Sequence, residues 1–135
     1  MLGEGMRRSE RVGAAGEFAW KALACIMLVN GSLGVFAPRV LIRGLGVKPE
    51  QQPALTYVLR MFGVRTLFIA IDLFRLPDDR ERSLREGVAV HATDAGAALA
   101  AALLGQLPAR PALLVSGLST VNTILAIVGA RVHRR

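Results

Sequence analysis

The chain has few side chains suited to redox or metal chemistry. It contains one cysteine, Cys25, among 135 residues. A single cysteine excludes an internal disulfide, and no C-x-x-C pair is present to hold zinc. The two histidines, His91 and His133, fall at different depths of the chain's predicted helices, which argues against a haem held by both. We therefore expect neither a metal site nor a bound cofactor.

Aromatic residues are also scarce, at 5% of the chain. The net charge of +7 would be compatible with nucleic-acid binding, but a basic surface for single strands also needs aromatic rings on which bases stack. Here the basic residues flank apolar runs instead. Attraction to anionic lipid headgroups explains this arrangement better, and we expect no nucleic-acid partner.

Charged residues make up only 20% of the chain, whereas soluble domains carry about 25%. Hydrophobic residues reach 53%, and the mean hydropathy is +0.43. The charges gather at the ends of the chain and in short connectors between apolar runs. This distribution is typical of a protein embedded in a lipid bilayer.

Four apolar segments are each long enough to cross a hydrocarbon core of about 30 Å as a helix. They are Phe18–Ala37, Leu55–Leu76, Leu84–Leu107 and Ala112–Val132. None contains a proline, a residue that breaks helix interiors. A soluble bundle is disfavoured because the fourth segment has no polar face. The sequence predicts an all-α, four-span antiparallel transmembrane bundle over residues 18–132, with a lead-in at 1–17, a linker from Pro38 to Ala54 and a tail at 133–135.

Lysine and arginine are unevenly divided between the two ends of these spans. Eleven would lie on the side of the chain termini, four on the other, and Arg60 and Arg65 fall within the second span. Positive charge accumulates on the cytoplasmic side of membrane proteins. We therefore expect both termini in the cytoplasm.

Charged residues interrupt the second and third spans. Counting from the expected span ends places Arg65 and Asp94 at nearly the same depth, close to the bilayer centre. Each costs about 2.5–3.5 kcal/mol there on insertion scales unless it is paired. The sequence thus predicts a buried Arg65–Asp94 salt bridge. Asp72 and His91 would extend it into a polar network.

Polar residues of the other spans complete this prediction. Asn30 on the first span, with Ser119 and Asn122 on the fourth, is expected to join the network. Small residues would let the helices approach closely. These are Gly31, Gly34, Gly63, Gly87, Ala95 and Gly96.

The buried charges leave the function open between three alternatives. They serve a structural purpose in a non-catalytic membrane subunit or scaffold, or they form a site for a lipophilic small molecule, or they carry protons or ions. In an enzyme, Asp94, Asp72 and His91 would supply general acid or base, and Arg65 would stabilise negative charge. An isomerase, cyclase or epoxide-opening enzyme of this kind needs no cofactor.

Three stretches carry a resemblance to a known family. They are "NGSLGVFAPRVLIRGLGV", "LRMFGVRTLFIAIDLFR" and "HATDAGAAL". Within Val29 to Leu104 the chain resembles the DoxX-like group of small four-helix bacterial membrane proteins, and is most similar to members known only as a domain of unknown function. The matching positions are Pro38, the G-x-R formed by Gly63 and Arg65, and Asp94 with Ala95.

The resemblance implies a four-helix bundle in a bacterial cytoplasmic membrane. Some members of the group are subunits of quinone-linked oxidoreductase complexes, which would make this chain an accessory subunit with a membrane protein partner or further copies of itself. The chain departs from the pattern at Thr66, where relatives often carry an acidic residue. A function tied to that acid does not transfer to this sequence.

Overall fold

The computed structural model describes residues 2–75 and 77–133, in which every regular element is a helix and there is no strand. The helices are α1 (Leu2–Phe36), α2 (Pro38–Gly44), α3 (Pro53–Arg75), α4 (Arg80–Leu103) and α5 (Ala109–His133), with a 3-10 turn at Pro49–Gln51. The predicted all-α class is confirmed. Four positions within the predicted segments lie outside the described residues, namely Met1, Leu76, Arg134 and Arg135.

Three of the described helices are long and apolar enough to cross a membrane. They comprise residues Ser9–Phe36 of α1, Pro53–Arg75 of α3 and Ala109–Arg131 of α5. The prediction of membrane-spanning helices is confirmed to this extent. Helix α4 is not among them, because charged residues fill its first two turns. The crossing of α4 stays a prediction.

Proline sets the starts of several helices. Pro38, Pro49 and Pro53 each begin a helical segment, where the missing proline N–H would have no intrahelical partner in any case. Helix α2 lies within the predicted linker. It ends at Gly44, and beyond its C-cap Gly46 has a left-handed φ of 77°, with its N–H donating to the carbonyl of Arg43 at 2.9 Å.

Helix α4 begins and ends four residues earlier than the predicted span. Gly105 has a φ of 69° and its N–H donates to the carbonyl of Ala102 at 3.1 Å. The N–H of Gln106 donates to the carbonyl of Ala101 at 2.8 Å, which completes a Schellman ending. The midpoint of α4 therefore falls near His91 and not near Gly96.

Helix α1 is continuous over 35 residues, so the predicted lead-in is helical from Leu2. Its length is about 52 Å at 1.5 Å per residue. This exceeds a hydrocarbon core of about 30 Å by several turns. The polar first half and the apolar second half of α1 thus form one uninterrupted helix.

Helix α1 lies at the centre of the helix bundle. It packs against α3 on one side and α5 on the other, α5 packs along α4, and α3 and α4 make few contacts with each other. The core contains Trp20, Leu23, Ala24, Met27, Ala70, Leu73, Leu84, Ala126 and Ala130. The order α3–α1–α5–α4 leaves a cleft between α3 and α4.

The crossing of α1 and α3 brings backbone against backbone. A Cβ atom on Gly63 would lie 2.6 Å from the carbonyl oxygen of Gly31 and 2.7 Å from the nitrogen of Val35. A Cβ on Gly34 would lie 2.8 Å from the carbonyl oxygen of Leu59. The prediction of close approach is confirmed at these three glycines. It is wrong for Gly96, which faces open space.

Arg80 links the α3–α4 hairpin to α1. The Arg80 guanidinium lies 4.0 Å from the centre of the Trp20 ring, and its Nε donates to the carbonyl oxygen of Leu73 at 2.7 Å. Phe74 packs edge-on against the same Trp20 ring, with centroids 5.3 Å apart. One arginine thus satisfies a carbonyl at the end of α3 and covers the indole of α1.

Candidate functional site

The cleft between α3 and α4 is the candidate functional site. It has a volume of about 190 Å³, and α1 closes its inner side. Its polar lining consists of Arg65, Asp72, Ser83, Glu86 and His91. Its other lining residues are Leu23, Met27, Ile69, Leu73, Gly87 and Val90. The cleft thus combines a cation, two carboxylates, an imidazole and a hydroxyl with an apolar wall.

Three of the four predicted catalytic candidates meet in this cleft. Arg65 and Asp72 reach it from α3, and His91 reaches it from α4. His91 is 7% exposed, whereas Arg65 and Asp72 are exposed. Asp94, the fourth candidate, is half-buried and does not line the cleft.

The predicted buried Arg65–Asp94 salt bridge is wrong. In the part of the chain that the structure describes, the ion pairs are Lys21–Glu17, Arg82–Glu86 and Arg85–Glu81. Each joins residues four apart on one helix, and each is partly or fully exposed. Both Arg65 and Asp94 are therefore without an ion-pair partner within the described residues.

The early start of α4 explains the error. Arg65 lies ten residues before the end of α3, and His91 lies eleven residues after the start of α4. Asp94 lies fourteen residues after that start, so it is about 6 Å further from the hairpin than Arg65 is. The residue level with Arg65 is thus His91.

The charged residues of α3 lie on its outer surface, whereas the sequence predicts them inside the bundle. Only Gly63, Thr66, Ala70 and Leu73 of α3 are buried, and all four belong to the stripe against α1. The opposite surface, called here the outer face of α3, is open. It consists of Tyr57, Arg60, Met61, Val64, Arg65, Phe68, Ile69 and Asp72. Arg65 and Asp72 thus lie on the shared edge of this face and the cleft.

A second group of polar residues lies between α4 and α5. A Cβ on Gly129 would lie 3.2 Å from Leu84, and one on Gly87 would lie 3.9 Å from the Cβ of Ala126. We infer from this antiparallel register that His91, four residues beyond Gly87, lies opposite Asn122, four residues before Ala126. Asn122 is 5% exposed, and its Oδ1 is a buried acceptor without a hydrogen-bond partner.

The predicted polar network is not formed as one hydrogen-bonded unit. Within the described residues, side-chain hydrogen bonds do not connect Arg65, Asp94, Asn30, Ser119 and Asn122 to one another. Ser119 and Asn122 are buried on α5, and Asn30 is half-buried on α1. Polar groups therefore occur in two layers, one in the cleft and one along α5.

Two residues of the cleft were missed from the sequence. The predicted span Leu84–Leu107 leaves Ser83 in the connector and Glu86 at the very end of the span, in a charged stretch. Ser83, Gly87 and Val90 recur at spacings of three and four, which places them on one face of α4. The same spacing continues from Gly87 to His91, and this is the feature of the sequence that indicates the cleft-facing side of α4. Glu86 also accepts a 2.9 Å hydrogen bond from the Nε of Arg82.

The chemistry open to this cleft is proton transfer and charge stabilisation. Asp72, Glu86 and His91 can each accept or donate a proton, and Arg65 can stabilise an anion. Among the described residues, no group of three or more His, Cys, Asp or Glu side chains comes together as metal ligands would.

Comparisons of the chain with models of protein families, with curated proteins and with solved structures found no match. The resemblance to the DoxX-like group therefore stays a prediction.

Proposed function

We propose that this chain is an accessory subunit or scaffold of a membrane complex and docks a helix of a different membrane protein on the outer face of α3. The observation that carries the proposal is Arg65. This residue is exposed near the middle of an apolar helix, without an ion-pair partner among the described residues.

The proposal includes a four-span crossing. Helix α4 is 24 residues long, or about 36 Å, and packs along α5 in an antiparallel register. If α5 crosses the bilayer, α4 must share its depth. The larger number of lysine and arginine residues at the hairpin and the termini supports the placing of both termini in the cytoplasm of a bacterial cell.

The depth of Arg65 supports a partner helix. Residue 64 is the midpoint of α3, so Arg65 lies too far from either membrane surface for easy contact with headgroups. An arginine that faces lipid at this depth costs about 2.5–3.5 kcal/mol on insertion scales. An acidic side chain on a docked helix would offset that cost by pairing with it.

A second copy of the chain is a poorer occupant of this face. Two copies with the same orientation are related by an axis along the membrane normal, so an α3–α3 contact brings each residue near its own counterpart. Arg65 would then meet Arg65. Asp72 is about 10.5 Å away along the helix, beyond the range of a direct pair. Charge complementarity therefore favours a different protein with an intramembrane acid.

A photo-crosslinking experiment in the host membrane tests the proposal. We would replace Phe68 on the outer face of α3 with p-benzoylphenylalanine, and Leu118 on the exposed side of α5 as the matched control. We expect one adduct of defined mass at position 68 and none at 118. Adding Arg65→Leu should lower the yield about tenfold, the effect of 1.4 kcal/mol, whereas Arg65→Lys should retain it.

Two results would overturn docking on this face. One is an adduct that consists of two copies of this chain. The other is a position-68 adduct whose yield is the same with Arg65→Leu.

A second candidate function is an enzyme that acts on a lipophilic substrate. The observation in its favour is that Arg65, Asp72 and His91 line one cleft with an apolar wall. Asp72 or His91 would act as acid or base and Arg65 would stabilise negative charge. Native mass spectrometry of the gently extracted protein tests this. A small lipophilic molecule that is lost in His91→Gln would favour the enzyme over the subunit.

A further inference from the structure

We infer that the cleft is a hydrated path that carries protons from the hairpin end of the bundle to His91 at the middle of α4. The inference rests on the proposed membrane crossing of α3 and α4, and it goes beyond docking because it assigns a separate activity to the cleft.

The polar residues of the cleft lie at successive depths. Ser83 and Glu86 are three and six residues into α4, and Asp72 is three residues from the end of α3. His91 is eleven residues into α4, or about 16 Å from its start. That distance is about half of a hydrocarbon core of about 30 Å. The cleft thus reaches from the hairpin to mid-membrane.

The size of the cleft suits a short column of water. Its volume of about 190 Å³ corresponds to about six molecules at about 30 Å³ each. Water persists in a protein cavity only where polar groups hold it. Ser83, Glu86, Asp72 and His91 supply such groups along the whole path, whereas α1 supplies the apolar Leu23 and Met27.

The charged groups around His91 favour movement of a cation through this path. Arg65 and Asp72 face the cleft from α3, and Glu86 faces it from α4. Asp94 is one turn further along α4, within electrostatic range of the imidazole. Between its terminal arginines, Arg110 and Arg131, helix α5 carries no ionisable side chain. Arg82 pairs with Glu86, so among the described residues the carboxylates around His91 without an ion pair are Asp72 and Asp94, against the single cation Arg65.

The transfer itself needs no co-reactant. A proton from bulk water binds the carboxylate of Glu86 or Asp72 and passes to an adjacent water as that O–H bond breaks. The water releases a proton to the unprotonated ring nitrogen of His91, which becomes imidazolium. On the far side of His91, the inferred register places the unpartnered Oδ1 of Asn122, an acceptor for the second ring N–H.

Cysteine labelling tests whether water enters the cleft. Cys25 is the only cysteine, so Cys25→Ser gives a background without thiols. Val90→Cys places a thiol in the cleft, and Ala89→Cys places one at nearly the same depth on an exposed surface away from it. A membrane-impermeant methanethiosulfonate reacts with the thiolate, which needs water. Added at the hairpin side of vesicles, it should label Val90→Cys about tenfold faster than Ala89→Cys.

The outcomes separate this inference from the docking proposal. If neither thiol reacts, the cleft is dry and the inference fails, while crosslinking at position 68 is unaffected. If both react rapidly, α4 is not in the membrane, and both the path and the four-span arrangement fail. Reaction of Val90→Cys from the opposite side alone would also overturn the proposed direction.

Proton arrival at His91 needs its own measurement. The variant His133→Gln leaves His91 as the only histidine. Its ring signals can then be followed by NMR in lipid nanodiscs. We expect them to shift with bulk pH, and Asp72→Asn combined with Glu86→Gln to slow proton exchange at the ring about tenfold. Ring signals that ignore bulk pH, or exchange that the double variant leaves unchanged, would overturn the path.

Discussion

Gly63 lies against Gly31 so closely that a Cβ atom on Gly63 would approach the Gly31 carbonyl oxygen to 2.6 Å. The obstacle is backbone on both helices, and backbone cannot move aside as a flexible side chain can. The position of α3 on α1 is therefore set by the absence of side chains at the crossing.

Gly63→Ala should destabilise the protein by about 1–3 kcal/mol, the usual cost of overpacking, through forced separation of α1 and α3. The matched control is Gly96→Ala, which meets nothing within 4 Å and should be neutral or stabilising by up to about 1 kcal/mol. Unfolding in detergent mixtures, followed by circular dichroism, would measure both. Equal stability of the two variants would contradict the crossing.

Arg80→Leu should destabilise the hairpin by about 2 kcal/mol, because it removes a charged donor from the Leu73 carbonyl and a cation from the Trp20 ring. Tryptophan fluorescence reports the change directly, since Trp20 is the only tryptophan. Arg82→Leu is the control. Arg82 pairs with Glu86 on an exposed surface, where such pairs contribute little. A Trp20 spectrum that responds equally to both changes would contradict this contact.

Arg65→Leu and Asp94→Leu should act independently on the stability of the isolated chain. These residues form no ion pair, so the coupling energy in a double-mutant cycle should stay within about 0.5 kcal/mol. A coupling of 1 kcal/mol or more, in the same unfolding measurement, would restore the pair that the sequence suggested.

Leu84→Ala should cost about 2–5 kcal/mol because Leu84 is 0% exposed, packs in the core and leaves a cavity when shortened. Leu103 is 89% exposed at the other end of the same helix, and Leu103→Ala provides the control. Thermal unfolding should separate the two variants clearly. A similar loss in both would mean that Leu103 is covered in the measured state.

The sequence predicts the helices of this fold well but not their register. Apolar runs and prolines locate α3, α5 and the second half of α1, because both features act within one helix. The ends of α4 were displaced by four residues, since Arg80 and its charged neighbours resemble a connector and the left-handed turn at Gly105 has no hydropathy signal. Because of this displacement, the sequence predicts Asp94 at the level of Arg65, whereas the structure places His91 there.

The burial of the charges was harder to predict, for a different reason. The cost of an uncovered arginine in lipid shows that something must cover it, but it does not show which molecule does so. The sequence predicts an acidic partner for Arg65 within the same chain. In the structure, the side of α3 that carries Arg65 faces outwards, away from α1.

The length of α1 affects how other molecules approach the bundle. With residues 18–36 in the hydrocarbon, residues 2–17 continue as a helix for about 24 Å beyond it. Arg7, Glu10, Arg11 and Glu17 are exposed along this extension, and residues 2–17 carry three arginines and three glutamates in all. A protein that nears the membrane from that side meets a helix with charges of both signs before it meets the lipid headgroups.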